Sequence, residues 1–145
     1  MATYNSDQIA NNNQRVGSHT GLGIFPLYAT ITTTAALTTA DTLNAFVIPK
    51  GCRVLYMMLK SSDVDTNASP TIALNVGDSG SATRFFSAST VGQAGTAAAA
   101  TAVGGIGYLT TADTLVTIVP SANAATGVAG TVELIAICAF VGGAS

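Results

Sequence analysis

The sequence predicts an all-β fold, a β-sandwich of about eight strands, which is the strand number of a jelly roll. Short segments rich in Val, Ile, Thr, Tyr and Phe recur along the chain between Gly, Pro and Asp turn signals. Residues 71–76 alternate between two faces, with Ile72, Leu74 and Val76 on the apolar one, as in a half-buried strand. No segment has a convincing helical period, and charged residues, which usually cover surface helices, make up only 8% of the chain.

The first 24 residues differ from the rest. They are polar, carry isolated apolar residues and have neither a helical nor a strand period. The sequence therefore divides into an extended N-terminal arm, 1–24, and a sandwich domain, 25–145. A disordered tail is the alternative for the arm, and ordering against a neighbouring chain would reconcile the two. We expect the arm to pack on another chain, with assembly contacts at Tyr4, Ile9, Arg15 and Val16.

Eight strand candidates follow the arm, over residues 27–33, 42–48, 53–60, 71–76, 84–88, 107–110, 115–119 and 131–141. The last candidate is apolar on both faces, which predicts a position at the centre of a sheet. Its lone charge, Glu133, is expected to face solvent or to pair with Lys or Arg. Residues 92–105, a run rich in Ala, Thr and Gly, are predicted to be a closely packed loop.

One heptapeptide, Leu-Thr-Thr-Ala-Asp-Thr-Leu, occurs twice, at 37–43 and 109–115. Each copy leads into a strand candidate that is expected to stop at a proline, Pro49 or Pro120. An Asp in such a turn can accept a hydrogen bond from the backbone two residues on. The repeat indicates either a pseudo-twofold relation between two sheets or the same type of turn formed at two places in the chain.

The titratable residues argue against an enzyme. Residues 77–80, Gly-Asp-Ser-Gly, match the nucleophile segment of trypsin-like proteases, but the only histidine, His19, lies in the arm. A catalytic Ser needs a positioned base, so we interpret the segment as a tight turn. Phosphate-binding and dinucleotide-binding motifs are also missing. The sequence therefore predicts no catalytic residues and no cofactor.

Metal and disulfide chemistry are equally poorly supported. Asp63 and Asp65 begin a calcium-loop pattern, but Ala68 and Leu74 stand where an EF-hand needs Gly and Glu. A looser surface cation site at Asp63 and Asp65 stays open, beside a turn held by its own carboxylates. Zinc needs clustered Cys and His. Cys52 and Cys138 are expected to be buried free thiols.

Charge and hydropathy limit the partners. The net charge is −2, and Lys and Arg do not cluster, which argues against nucleic-acid binding. The longest apolar run, 134–141, is far shorter than the ~20 residues of a membrane helix. The N-terminus also lacks the pattern of a signal peptide. We therefore expect synthesis in the cytoplasm and no association with a membrane.

Residues 41–141 resemble a group of small bacteriophage virion proteins. The resemblance follows the turn at Pro49-Lys50-Gly51, the strand 53–60, the segment 63–71, the alternating strand 72–76 and the turn 77–80, with a late strand start at 129–132. These motifs are structural turns, and no catalytic residue comes with them. The arm and the Ala-rich loop lie outside the resemblance.

The resemblance implies a capsid decoration (cement) protein, often a jelly roll and often trimeric, on the surface of the virion. Its partners would be the major capsid protein and further copies of itself. Low charge and the small-residue loop 92–105 also favour a homo-oligomer, with a homotrimer expected. Two alternatives stay open, another virion component (tail, fibre or head–tail protein) and a carbohydrate-binding β-sandwich module.

Overall fold

The computed structural model describes residues 1–6 and 23–141, and the described part of the chain is almost entirely β-structure. A single 3₁₀ turn, Val91–Gln93, is the only helical element in these ranges. The strands are β1 (Thr3–Asn5), β2 (Ile24–Thr33), β3 (Thr42–Ile48), β4 (Cys52–Ser61), β5 (Ala73–Gly77), β6 (Phe86–Ser89), β7 (Ala97–Ala99), β8 (Thr114–Ala122) and β9 (Gly130–Phe140). The expected all-β sandwich is confirmed.

Two sheets pack face to face. One has the strand order β2-β9-β4-β7, and the other has the order β1-β3-β8-β5-β6. Without β1, these are two four-stranded sheets in which the chain crosses repeatedly from one sheet to the other, which is the jelly-roll arrangement. β1 adds a ninth strand, parallel to β3, at the edge of the second sheet.

The core lies between the sheets because alternate side chains of each strand point inward. In β5, Leu74 and Val76 are fully buried, as the period of two predicts. The strand β9 lies between β2 and β4, which confirms its expected central position. The largest fully buried side chains come from both sheets and their connections: Ile31, Leu37, Leu43, Phe46, Ile48, Met57, Leu59, Ile72, Leu74, Phe85, Ile118 and Leu134.

The segment 92–105 is not the plain loop that its composition predicts. Ala97–Ala99 forms β7, a short edge strand paired with β4. Its small residues also serve packing within the chain: a Cβ on Gly105 would lie 2.4 Å from the carbonyl oxygen of Arg84. The glycine there is explained by this close approach and gives no support to an interface between copies.

Two further strand predictions are wrong in detail. Residues 107–110 make backbone hydrogen bonds to the start of β4 but contain only an isolated bridge, Arg53 to Leu109. The strand β8 does not stop at Pro120 but continues to Ala122. Pro120 pairs with Leu74 beside a register shift in β5, and such an irregularity accommodates a residue without an N–H.

The two heptapeptide copies lead into β3 and β8, which are antiparallel neighbours in one sheet. A pseudo-twofold relation between the two sheets is therefore wrong. The aspartates also differ in their contacts. Asp41 accepts the Thr38 N–H at 2.8 Å and the Ala2 N–H at 2.9 Å, whereas Asp113 accepts the Lys50 N–H at 2.9 Å.

Candidate assembly surface

The N-terminal strand lies on this chain's own sheet. Tyr4 is in register with Leu43 of β3 and packs, half-buried, against the core. The Ala2 N–H donates to Asp41, and the Ala2 carbonyl accepts the Thr42 N–H at 3.0 Å. The expectation that the arm packs away from its own sandwich is thus wrong for Thr3–Asn5, because β3 offers an edge that satisfies their backbone.

Asp41 is a charged anchor for this strand. Burial raises the pKa of its carboxyl, but the N–H groups of Thr38 and Ala2 outweigh that effect and bring the pKa below its ordinary value. Ile9, Arg15 and Val16, the other expected assembly contacts, lie outside the described residues, as does His19. The assembly roles of Tyr4 and of these three residues stay predictions.

Asp65 is a buried structural carboxylate. One oxygen accepts N–H groups from Thr71 (2.7 Å), Ile72 (3.1 Å) and Ala125 (2.9 Å), and the other accepts the Thr126 N–H at 2.8 Å. Burial raises its pKa, but these four donors together hold the pKa well below the ordinary value. They also occupy most of the lone pairs that a cation would need.

Asp63 is exposed and accepts the Asp65 N–H at 3.1 Å, as in an Asx turn. Within residues 1–6 and 23–141, no three Cys, His, Asp or Glu side chains are grouped as metal ligands would be. The contacts therefore favour the turn over the cation site that the sequence left open.

The Gly-Asp-Ser-Gly segment is a turn held by Asp78. Its carboxylate accepts the Gly80 N–H at 2.9 Å and the Ser81 N–H at 3.0 Å, and forms an ion pair with Arg84 at 2.6 Å. Burial raises the pKa of Asp78, but Arg84 and these N–H groups shift it below its usual range. The guanidinium of Arg84 also lies 3.9 Å from the ring centre of Tyr108.

These residues line an open groove of about 490 Å³ that continues along Asp113 to Leu115. The charge of Arg84 is neutralised by Asp78, and one face of the Tyr108 ring is covered by Arg84. The groove consequently offers a ligand neither an unpaired cation from Arg84 nor an open stacking face on that side of Tyr108.

Cys52 and Cys138 lie on adjacent strands, and both are buried free thiols. In the β4–β9 ladder Cys52 is opposite Phe140 and Cys138 is opposite Val54, so the two cysteines are diagonal neighbours. Burial raises the pKa of Cys138 to about 12 and also raises that of Cys52. Both are protonated at neutral pH and act as small apolar side chains.

The outer face of the β2-β9-β4-β7 sheet is apolar over much of its length. One cross-strand row is Pro26–Ile137–Tyr56, and the next is Tyr28–Ile135–Met58. Several side chains of this outer face are well exposed: Ile24 is 56%, Leu55 42%, Tyr28 41% and Tyr56 37% exposed, and Pro26 is exposed as well. We call the outward side chains of Ile24, Pro26, Tyr28, Leu55, Tyr56, Met58, Ile135 and Ile137 the apolar face.

A charged row borders the apolar face. Thr30, Glu133 and Lys60 are in register, and the Lys60 ammonium lies 2.9 Å from the Glu133 carboxylate. The Lys60 ammonium lowers the pKa of Glu133, and the Tyr28 hydroxyl adds to this effect against the opposing effect of burial. Glu133 thus pairs with Lys, one of the two expectations from sequence.

The outer face of the other sheet has a different character. Asn44 donates to Asn5 at 2.8 Å, and Asn75 accepts the Ala88 N–H at 2.8 Å. Asn44 is in register with Thr117 of β8, and Asn75 is in register with Val119. Leu115 is the only large apolar side chain of this sheet that is exposed within the described residues. The two outer faces are therefore suited to different surroundings.

Comparison with solved structures identifies relatives. A chain in the cyanophage Pam1 capsid asymmetric unit matches with a TM-score of 0.77 and 41% sequence identity, covering 90% of this chain and 95% of that chain. This chain belongs to the same family as that phage capsid chain. A chain in the capsid of Ralstonia phage GP4 matches with a TM-score of 0.76 and 26% identity, covering 94% of this chain and 97% of that one.

No protein-family model and no curated protein matches the sequence. Membership of a phage capsid family agrees with the part of the resemblance that concerns virion proteins, and indicates a structural protein of the virion. In the part of this capsid-family chain that the structure describes, no helix is both long and apolar enough to cross a bilayer.

Proposed function

We propose that this chain is a capsid decoration protein, which binds the major capsid protein on the assembled head and bridges its subunits. The observation that carries the proposal is the 41% identity to a phage capsid chain across nearly the full length of both chains. The likeness therefore involves the whole sandwich and not one shared motif.

The mechanism is mechanical. A sandwich that contacts several shell subunits adds buried surface across their boundaries, and simultaneous contacts give avidity even when each one is weak. The polar side chains of this chain that the structure describes are used largely for structure: Asp41, Asp65 and Asp78 each accept backbone N–H groups. This supports a role without catalysis, cofactor or nucleic acid.

We further propose that the protein is a homotrimer on the capsid surface, made in the host cytoplasm. The low proportion of charged residues supports an oligomer, since a weakly charged surface keeps a free monomer poorly soluble. Close packing in 92–105 serves the chain's own fold and no longer supports this proposal.

The test compares phage particles with and without the protein. Particles that lack it should assemble but release DNA at lower temperature or after milder osmotic shock, and the purified protein should restore resistance. Depleted heads that do not bind the purified chain would contradict the proposal. Equally robust particles that fail only to adsorb to cells would assign the chain to a fibre or tail instead.

A carbohydrate-binding role is less well supported by the apolar face. Sugar sites combine stacking aromatic rings with polar groups for the sugar hydroxyls. Tyr28 and Tyr56 are flanked in their rows by Pro26, Ile135, Ile137 and Met58, which offer no side-chain hydrogen bonds.

A further inference from the structure

The apolar face is the feature that folding leaves unexplained. It lies on the outside of the sheet, so none of its exposed side chains contributes to the core between the sheets. The five exposed members, Ile24, Pro26, Tyr28, Leu55 and Tyr56, leave on the order of 400 Å² of apolar surface in contact with water. The largest apolar patch of a typical monomer has about this size and is often functional.

We propose that the apolar face is the surface through which copies of this chain associate with one another. The area supports this occupant. A stable interface buries about 800 Å² per partner, and the apolar share in homo-oligomers is roughly 65%. The five exposed side chains, together with the half-buried Met58, Ile135 and Ile137, supply an apolar area of that size.

The charges of the face also suit a second copy. Two identical surfaces repel each other when each carries a net charge. Here Lys60 and Glu133 neutralise each other at the border of the face. Arg53 keeps its charge, but it lies at the other end of the face, where it donates to the Gly107 carbonyl at 2.6 Å. The rows between these ends carry no ionisable group except the two tyrosine hydroxyls.

A third argument rests on the proposed decoration function. A protein that is added to an assembled shell exists first as free copies, and a free copy with this face uncovered would aggregate. Association through the face covers it before the shell is reached. The polar outer face of the other sheet, with Asn44, Asn75 and Thr117, stays available to solvent or shell.

The test measures self-association of the full chain by analytical ultracentrifugation. Tyr56→Lys places a charge in the middle of the face, and Ile24→Lys places one on its edge strand. Leu115→Lys is the matched control, because Leu115 is exposed to nearly the same extent (39% against 37% for Tyr56) but lies on the other sheet. Melting curves followed by circular dichroism show which variants fold. If Tyr56→Lys does not fold, Ile24→Lys is used as the only test variant.

We expect a wild-type oligomer whose dissociation constant rises about 30-fold or more in the two face variants, with Leu115→Lys unchanged. Folded face variants that keep the wild-type oligomer would overturn the inference, and so would a wild-type monomer at high concentration. Binding to depleted particles is measured in parallel. A monomeric wild type whose face variants lose particle binding would make the face a shell contact, which overturns this inference but leaves the decoration function standing.

Discussion

At the scale of single residues, buried carboxylates hold the connections of this sandwich together. Asp65 joins three parts of the chain, because its carboxylate connects its own loop to residues 71–72 and to residues 125–126, whose N–H groups it accepts. Asp41 does the same for β1 and the turn before β3. Backbone N–H groups in irregular loops have no partner strand to bond to. Each of these carboxylates accepts several such N–H groups in place of a strand.

Replacing Asp65 by Asn should strongly destabilise the chain. The amide has one acceptor oxygen, and its NH₂ group would face at least one N–H donor, so at least one of the four hydrogen bonds becomes a donor–donor contact and the charge that strengthens the others is lost. We expect the melting temperature to fall by about 10 °C or more. Asp63→Asn is the control, since exposed Asp63 accepts one local N–H, and it should change the melting temperature by less than about 2 °C.

Acid should weaken the fold through the same groups. Asp41, Asp65 and Asp78 have folded-state pKa values below the reference of 3.8. Between the folded and unfolded pKa values the unfolded chain binds more protons. The stabilisation is therefore complete well above pH 3.8 and is lost progressively as the pH falls below it.

Urea unfolding of wild type and Asp65→Asn between about pH 7 and about pH 2 measures this dependence. The free-energy difference between the two proteins should shrink towards the acid end. A difference that stays constant over the whole range would show that the Asp65 charge has no part in the stability.

At the scale of elements, turns that bring backbones together fix where strands end. The strand β5 ends at Gly77, and the chain then folds back so closely that a Cβ there would lie 2.1 Å from the Ser81 carbonyl oxygen. Asp78 and Arg84 close the same turn by their ion pair. The turn thus delivers the chain from β5 to β6 in the same sheet.

The substitution Gly77→Ala should destabilise the protein by about 2 kcal/mol, because the new methyl group meets backbone and the turn must shift. Gly104→Ala is the matched control, since a Cβ there meets nothing within 4 Å. Its effect should stay within about 0.5 kcal/mol. Guanidinium unfolding of both variants gives the values, and equal losses would contradict the steric argument.

At the scale of the whole molecule, the two sheets divide the work. Their inner faces form one core, the outer face of β3, β8 and β5 is mainly polar, and the outer face of β2, β9 and β4 is apolar. An apolar outer face on β2, β9 and β4 does not stabilise a chain that stays monomeric. In a chain that assembles, the same face provides an interface without any change of fold.

This division predicts a melting temperature that depends on protein concentration, because association stabilises only the folded chain. A 100-fold rise in concentration should raise the melting temperature of the wild type by about 5 °C. Ile24→Lys should show no such rise if the apolar face carries the association. Differential scanning calorimetry at several concentrations measures both proteins.

The sequence by itself determined the strand character of the chain. The order of residues within a segment is enough to show which side chains meet water. It shows one apolar face in 71–76 and two apolar faces in 131–141. The strand at 42–48 and the central position of β9 follow from these patterns. The resemblance in the turns led to phage virion proteins, and the similarity to the Pam1 capsid chain agrees at that level.

The tertiary structure alone decided which distant segments meet. Asp65 resembles a calcium ligand in sequence, and its donors at 125 and 126 lie sixty residues away along the chain. Ala97–Ala99 has no strand pattern and becomes a strand because β4 offers an open edge. The apolar face exists only because sheet register aligns Pro26, Ile137 and Tyr56 in one row, and register between distant strands is set by packing of the whole core and not by local sequence.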